Sequence, residues 1–322
     1  MDIEILKNIP HLNHSIIPTP IYRLKNLSKS YSADIFCMRD DITGFAFGGN
    51  KTRKLDYLVY DAKAKGADTL LAVGSNQSNF CRIAAAYGAA EGMEVHLLLS
   101  GEKQDNPTGN LLLDYLFNAE ISFTSSTGNS EIEQESTEIE KELTKRGKKV
   151  YRMPMGGSTP VGVLGYIKAF YEIIDYEYKN DIRFDYIFVA SGSGGTQAGL
   201  VLGKSISGWN GQITGISVGR SSQELNTVIN NLVKETGIFL KIEDIDPSIE
   251  VNDEYIGEAY GKLTKAGTDA IKDFAMHEGI ILDNVYTGKA AAGMLDYIKK
   301  NIIKQGSKIL FIHTGGNIEL FE

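Results

Sequence analysis

A lysine placed where a cation is least welcome is the first chemically informative residue of this sequence. In FGGNKTRKL, Phe47 to Leu55, two glycines and an asparagine precede Lys51 at the expected start of a helix. The positive end of the helix dipole opposes an ammonium there, as does partial burial, so the pKa falls and the amine becomes a better nucleophile for an aldehyde. The glycines would let a flat ligand lie close to the backbone. Taken alone, the stretch equally fits a basic first turn of Lys51, Arg53 and Lys54 facing solvent.

A second segment suits an anion. In YIFVASGSGGTQAGLVLG an apolar strand ends at Ala190, a turn runs from Ser191 to Thr196, and a helix follows. Glycine amides and the start of a helix both favour phosphate. A triphosphate loop needs GxxxxGK[ST], and the first lysine here is Lys204, well into the helix. A dinucleotide loop needs GxGxxG; Gly192 and Gly194 fit, but Gln197 stands at the third glycine. That rival, an NADP-dependent oxidoreductase, rests on Arg220, which could meet the extra phosphate. Hydroxyls at Ser191, Ser193 and Thr196, with no cation close in sequence, best suit a single phosphate monoester. Pyridoxal phosphate carries one, together with an aldehyde for Lys51. A third segment, AVGSNQSNFCRIAAAYGAAEG, sets the polar run Ser75 to Asn79 between a strand and an Ala-rich helix, where open α/β sheets build sites. Ser78 as a helix cap would explain one residue of that run.

The elements that must position these segments alternate along the chain, β-rich runs with helical patterns, which predicts an α/β fold of parallel sheets covered by helices. Strands are expected at 34–40, 69–74, 95–99, 121–124, 149–153, 184–190, 212–218 and 308–314, with helices at 51–65, 78–91, 109–118 and 130–146. The last is densely charged and reads as a solvated face. Glycine-rich MGGSTPVGVLGY (155–166) reads as a crossing between two domains, residues 1–54 plus 161–322 and residues 55–160.

The 322 residues carry a net charge of −8, with 42% hydrophobic and 23% charged residues. This disfavours nucleic acid and anionic membranes as partners. Two cysteines, Cys37 and Cys81, give no disulfide framework, and five scattered histidines give no metal motif. His11 and His14 are expected in a solvated loop. No leader or membrane-length apolar run is visible, which leads to an expectation of a reduced, cytoplasmic setting.

PTPIYRL (18–24), GGNKTRKLDYL, GSNQSN, GGSTPVGVLGY, SGSGGTQAGL, VYTGKAAAGM (285–294) and FIHTGG (311–316) together span nearly the whole chain. In combination they resemble the pyridoxal-phosphate enzymes of the D-cysteine desulfhydrase and 1-aminocyclopropane-1-carboxylate deaminase family, with its tryptophan-synthase-β-like fold (fold type II). The resemblance implies two open, mostly parallel sheets flanked by helices, a homodimer, and a small amino acid as substrate. It implies that Lys51 holds the cofactor covalently and then moves a proton, that Lys54 assists at the phosphate, and that Gly192, Ser193, Gly194, Gly195 and Thr196 cradle it. Asn79 matches the partner of the ring hydroxyl, Ser78 a residue of carboxylate binding or proton transfer, with Gln77 beside them, and Tyr286 and Tyr260 the family's active-site tyrosines. At the pyridine nitrogen the deaminase pattern has glutamate after VY, whereas this chain has Thr287, with Thr314 as the other hydroxyl available. A neutral partner favours elimination of a good β leaving group, as in D-cysteine desulfhydration, over opening of a cyclopropane. The chain departs from the family pattern at Phe80 and in GGNIELFE, where Asn317 and Glu319 are expected to alter the pocket.

Overall fold

The structure, a computed structural model, describes residues 9–126, 128–242, 245 and 247–321. The ends of the expected domain ranges, 1–8 and 322, lie outside the described residues. Chain order is β1 (Ile21–Arg23), α1 (Lys25–Tyr31), β2 (Asp34–Arg39), α2 (Asn50–Ala64), β3 (Thr69–Ser75), α3 (Asn79–Glu91), β4 (Glu94–Ser100), α4 (Gly109–Leu116), β5 (Glu120–Thr124), α5 (Asn129–Lys145), β6 (Val150–Met153), α6 (Pro160–Asn180), β7 (Tyr186–Ser191), α7 (Gly195–Ser207), β8 (Gln212–Ser217), α8 (Ser222–Leu240), β9 (Glu250–Asn252), α9 (Lys265–Glu278), α10 (Thr287–Lys299) and β10 (Lys308–His313), closed by a 3-10 turn at Asn317–Phe321.

Among the described residues these strands form two sheets. The larger has the order β1-β2-β10-β7-β8-β9 and is parallel apart from β1, which pairs antiparallel with β2. The smaller, β5-β4-β3-β6, is parallel throughout. In the larger sheet successive residues point to opposite faces, and both faces are covered. Ile35, Cys37, Phe188, Ile309 and Phe311 pack under α1, α9 and α10, while Phe36, Ile187, Val189, Leu310 and Ile312 pack under α6 and α7. That double burial is why these strands read as continuous apolar runs. In the smaller sheet Leu70, Ala72, Leu97 and Leu99 join the core under α3, and Val73 and Leu98 meet Ile132 of α5.

Three local outcomes differ from the sequence reading. Residues 155–166 are not a bare crossing: a turn at Met155–Gly157 leads into α6, whose Thr159 side chain caps Gly162 N and whose first residue is Pro160. Gly165 is needed there because a Cβ would stand 2.4 Å from the Arg53 carbonyl oxygen, so α6 lies almost on the backbone of α2. His11 and His14 are half-buried and partnered instead of fully solvated. His11 stacks on Tyr57 with ring centroids 4.7 Å apart, and His14 Nε2 lies 2.7 Å from Glu91 Oε1. The short edge strands β1 and β9 were not foreseen.

Candidate active site

The carboxyl ends of five parallel strands open onto one cavity of about 430 Å³ between the two sheets. Ser75 ends β3, Ser100 ends β4 and Ser191 ends β7, while Val218 and Thr314 follow β8 and β10, and all five line it. Open α/β sheets place ligands at this end of their strands.

Lys51 lines this cavity from the first turn of α2, which begins at Asn50 without a side-chain cap. Its Nζ stands 3.7 Å from where a side chain on Gly156 would begin. Burial lowers its pKa to about 8, and the negative charge of Glu319 works against that fall. The rest of the basic first turn does not face solvent. Arg53, with a side chain 1% exposed, donates to Asp40 at 2.8 and 2.9 Å and to Glu172 at 2.8 Å. Lys54 is buried with its Nζ 3.2 Å from the Gly156 carbonyl oxygen, and burial first, Lys51 second, holds its pKa far below the ordinary range. The preceding glycines serve a purpose other than the expected one. Neither Gly48 nor Gly49 lines the cavity; both have positive φ, +66° and +107°, and a Cβ on Gly49 would meet the Thr314 carbonyl oxygen at 3.2 Å. They let the chain turn back against the end of β10, where Asn50 N donates to Thr314 O.

Opposite Lys51 runs the glycine loop. Gly192, Ser193, Gly194 and Thr196 line the cavity, Gly194 has φ +85°, and α7 starts at Gly195. A Cβ on Gly195 would lie 2.6 Å from Ser158 Oγ and 2.8 Å from Lys54 Nζ, so the loop, Ser158 and Lys54 close around one point. Ser193 Oγ accepts from Ser158 Oγ, Asn50 donates to Thr196 Oγ1, and the buried Ser191 Oγ has no hydrogen-bond partner among the described residues. Gln197 explains why the third dinucleotide glycine is absent. Its buried side chain crosses to Glu250 O of β9, filling the space beside Gly215 of β8.

The polar run after β3 divides its tasks. Ser78 caps α3 by accepting from Cys81 N at 3.2 Å, its hydroxyl also meets the Cys81 side chain, and the residue lines the cavity. Asn79 also lines the cavity. Its Oδ1 accepts from Arg82 and Asn110, and its Nδ2 donates to Glu319 at 2.5 Å. Gln77 lies outside the wall, where its Oε1 accepts from Asn110 N and its Nε2 reaches Thr108 O, fixing the start of α4. Phe80 is buried in the wall, and Ile132 reaches it from the inner face of the charged helix α5.

Tyr286 and Tyr260 hydrogen-bond through their hydroxyls and both line the cavity, with the Tyr286 ring over Gly192. Burial raises the pKa of the Tyr286 phenol; that of Tyr260, whose side chain is about half exposed, is raised where its hydroxyl end packs into the site. Lys289, unremarked in the sequence reading, donates to Ile256 O and Ala259 O and so ties the segment before Tyr260 to α10. Thr287 does not reach the cavity. Its hydroxyl donates to Asp283 Oδ1 at 2.5 Å and its backbone N to the same oxygen, leaving Thr314 as the threonine of that pair in the wall. Asn110, Ser158 and Lys289 were missed because each acts through a partner distant in sequence, and Arg82 because its fork bridges near Asn79 to distant Gly48 and Asn110; Arg82, Ser158 and Lys289 stand inside motifs that do not mark them.

These residues fit a phosphorylated aldehyde. A half-buried amine of lowered pKa lines the same cavity as a glycine loop at a helix start, and the loop holds a buried hydroxyl without a hydrogen-bond partner among the described residues. Comparison with known proteins agrees. The family described as pyridoxal-phosphate dependent enzyme matches residues 12–315. A putative 1-aminocyclopropane-1-carboxylate deaminase of Pyrococcus furiosus is 40% identical over 313 residues, 97% of this chain and 94% of that protein. A D-cysteine desulfhydrase of Yersinia enterocolitica is 37% identical over 321 residues, 98% of this chain and 96% of that protein. The crystal structure of a homologue of 1-aminocyclopropane-1-carboxylate deaminase superposes with a TM-score of 0.91 at 38% identity, covering 99% of this chain and 95% of the other. The oxidoreductase reading is thereby set aside. With its two parallel-rich sheets meeting at a half-buried lysine, the chain belongs to the pyridoxal-phosphate-dependent enzymes of fold type II, among the deaminase and desulfhydrase-like lyases.

Proposed function

We propose that the protein catalyses α,β-elimination on a small amino acid, D-cysteine foremost, giving pyruvate, ammonium and hydrogen sulfide with uptake of one water. The observation that carries this reading is the composition of the wall. Among the described residues no Asp or Glu lines the cavity, and Thr314 supplies a neutral hydroxyl at the end of β10. Bound pyridoxal phosphate would supply an electron sink for the pair left at Cα, and a neutral neighbour at its ring nitrogen suits a substrate whose β-substituent leaves readily.

The chain's own residues take the remaining tasks. The loop from Gly192 to Thr196, with Ser158 and Lys54 behind it, would hold the phosphate. The Ser78 hydroxyl would donate to the substrate carboxylate, and Asn79 would meet the ring hydroxyl. Lys51 Nζ, with a pKa near 8, can both accept and return a proton close to neutral pH. The paired hydroxyls of Tyr260 and Tyr286, both protonated near neutral pH with raised pKa values, would donate toward a departing thiolate. The second reading, opening of the cyclopropane amino acid, is favoured by the name of the Pyrococcus furiosus relative.

The test is a panel of D-cysteine, L-cysteine, cysteate, β-chloroalanine, D-serine and 1-aminocyclopropane-1-carboxylate, with pyruvate, 2-oxobutyrate and sulfide as readouts. Pyruvate and sulfide from D-cysteine are expected. 2-Oxobutyrate from the cyclopropane substrate, with no product from the others, reverses the order of the two readings.

A further inference from the structure

Glu319 occupies a place that the proposed reaction leaves unused. It sits on the 3-10 turn Asn317–Phe321, 7% exposed, behind the cavity wall, and its Oε1 accepts from Asn79 Nδ2. On the other side of the same amide, Asn79 Oδ1 accepts from Arg82 Nη1 at 2.8 Å and from Asn110 Nδ2 at 3.1 Å. A flipped amide would set its oxygen against the carboxylate and its NH2 group against the guanidinium, so the two charges hold Asn79 one way round.

Asn79 and Lys51 line the same cavity, and the carboxylate behind Asn79 acts on the amine through its charge. Charge interactions link Glu319 to Lys51 on α2, Arg82 on α3, Tyr260, and Tyr286 at the start of α10. Lys54 stands behind Lys51, Asp114 of α4 behind Arg82, and Asp283 beside the tyrosines. Arg220 lines the cavity at the end of β8. We propose that Glu319 is a positioning residue of this site, reaching from the C-terminal turn to lock the Asn79 amide in one orientation and to hold a negative charge near the Lys51 amine. This rests on the reading of Lys51 as the amine that takes the cofactor.

The test uses the full-length chain stripped of cofactor. Labelling of Lys51 by acetic anhydride across a pH range, read by mass spectrometry of its peptide, reports the free-amine fraction, and the half-point expected for the parent is about 8. Glu319→Gln keeps a hydrogen-bond acceptor and removes the charge, so its half-point should fall by about one unit. Glu319→Asp, which keeps the charge, should stay near the parent. After reloading, Glu319→Ala should retain the cofactor less well than Glu319→Gln, measured by absorbance after dialysis, because it also frees Asn79. A Glu319→Gln curve that overlays the parent's overturns the proposal, as does an equal lowering of melting temperature in all three variants without a change in half-point. Lys51→Ala separates the two readings. If that variant still binds the cofactor covalently, the function reading itself fails; if it does not, an unshifted Glu319→Gln curve removes the role of Glu319 alone.

Discussion

Replacing Arg53 by methionine should loosen the turn that carries Lys51, and the structure sets the scale. The guanidinium is buried between Asp40 and Glu172, donates twice to each, and also reaches Thr19 Oγ1 at 3.0 Å. Removing one partner of such a buried pair strands charge, at a cost of about 3 to 5 kcal/mol. Two features argue for the lower end. Asp40 keeps hydrogen bonds from Thr19 at 2.7 Å and Tyr166 at 2.5 Å, and the Glu172 side chain is 13% exposed, so it can turn toward water. A loss of about 3 kcal/mol would raise the open population of the first turn of α2 by about two orders of magnitude. Native-state hydrogen exchange of the amides of α2 measures that opening directly. A companion chain that also carries Asp40→Asn and Glu172→Gln should recover more than half of the loss, because the penalty lies mainly in the stranded carboxylates. An Arg53→Met variant that exchanges within about 1 kcal/mol of the parent, or a triple variant no better than the single one, would refute this account of how Lys51 is held.

Three further outcomes follow from the same geometry. Lys289→Met should free the segment before Tyr260, lowering kcat while cofactor absorbance after dialysis is unchanged; unaltered turnover would show that the lysine does not position Tyr260. Gly165→Ala forces a Cβ against the Arg53 carbonyl and should destabilise the protein by about 1 to 3 kcal/mol, read as a lower denaturation midpoint. Covalent capture of pyridoxal phosphate by the stripped chain should accelerate as pH rises and level off above about 8, since the Lys51 pKa lies there instead of at 10.5. The linked effect on stability has the same direction: between about 8 and 10.5 the unfolded chain binds the extra proton, so the unfavourable contribution of this group fades as pH rises.

Much of the fold was legible because strands buried on both faces announce themselves as apolar runs. Eight expected strands lie within two residues of those observed, from Asp34–Arg39 to Lys308–His313. The three-residue edges β1 and β9 are too short for any periodicity; pairing with β2 and β8 makes them strands. The start of α6 was obscured by Gly162 and Gly165, which lower local helix propensity, whereas the reason for those glycines is the backbone of a neighbouring segment and is invisible in sequence. At the site, Lys51, Ser78, Asn79, Tyr260, Tyr286, Thr314 and much of the glycine loop meet in one cavity. Thr287 does not, because Asp283, four residues earlier, captures its hydroxyl as part of a cap on α10. A motif can name a side chain, but competition for its hydrogen bonds is decided by neighbours.

The basic turn KTRK shows how one ambiguity resolves physically. Three cations at the positive end of a helix would repel one another and the dipole if all remained charged and aimed alike. The fold separates them. Arg53 turns to the buried carboxylates of Asp40 and Glu172, so its charge is neutralised under the larger sheet. Lys54 is driven toward its neutral form by burial and by Lys51, and its amine serves as a hydrogen-bond donor to Gly156 O beside the glycine loop. Lys51 remains facing the cavity, with a pKa depressed far enough to supply free amine near neutral pH and held up by Glu319 far enough to keep a proton in reserve. An amine that attacks an aldehyde and later carries a proton, the role proposed for Lys51, needs both properties, and here burial supplies the first while the charge of Glu319 favours the second.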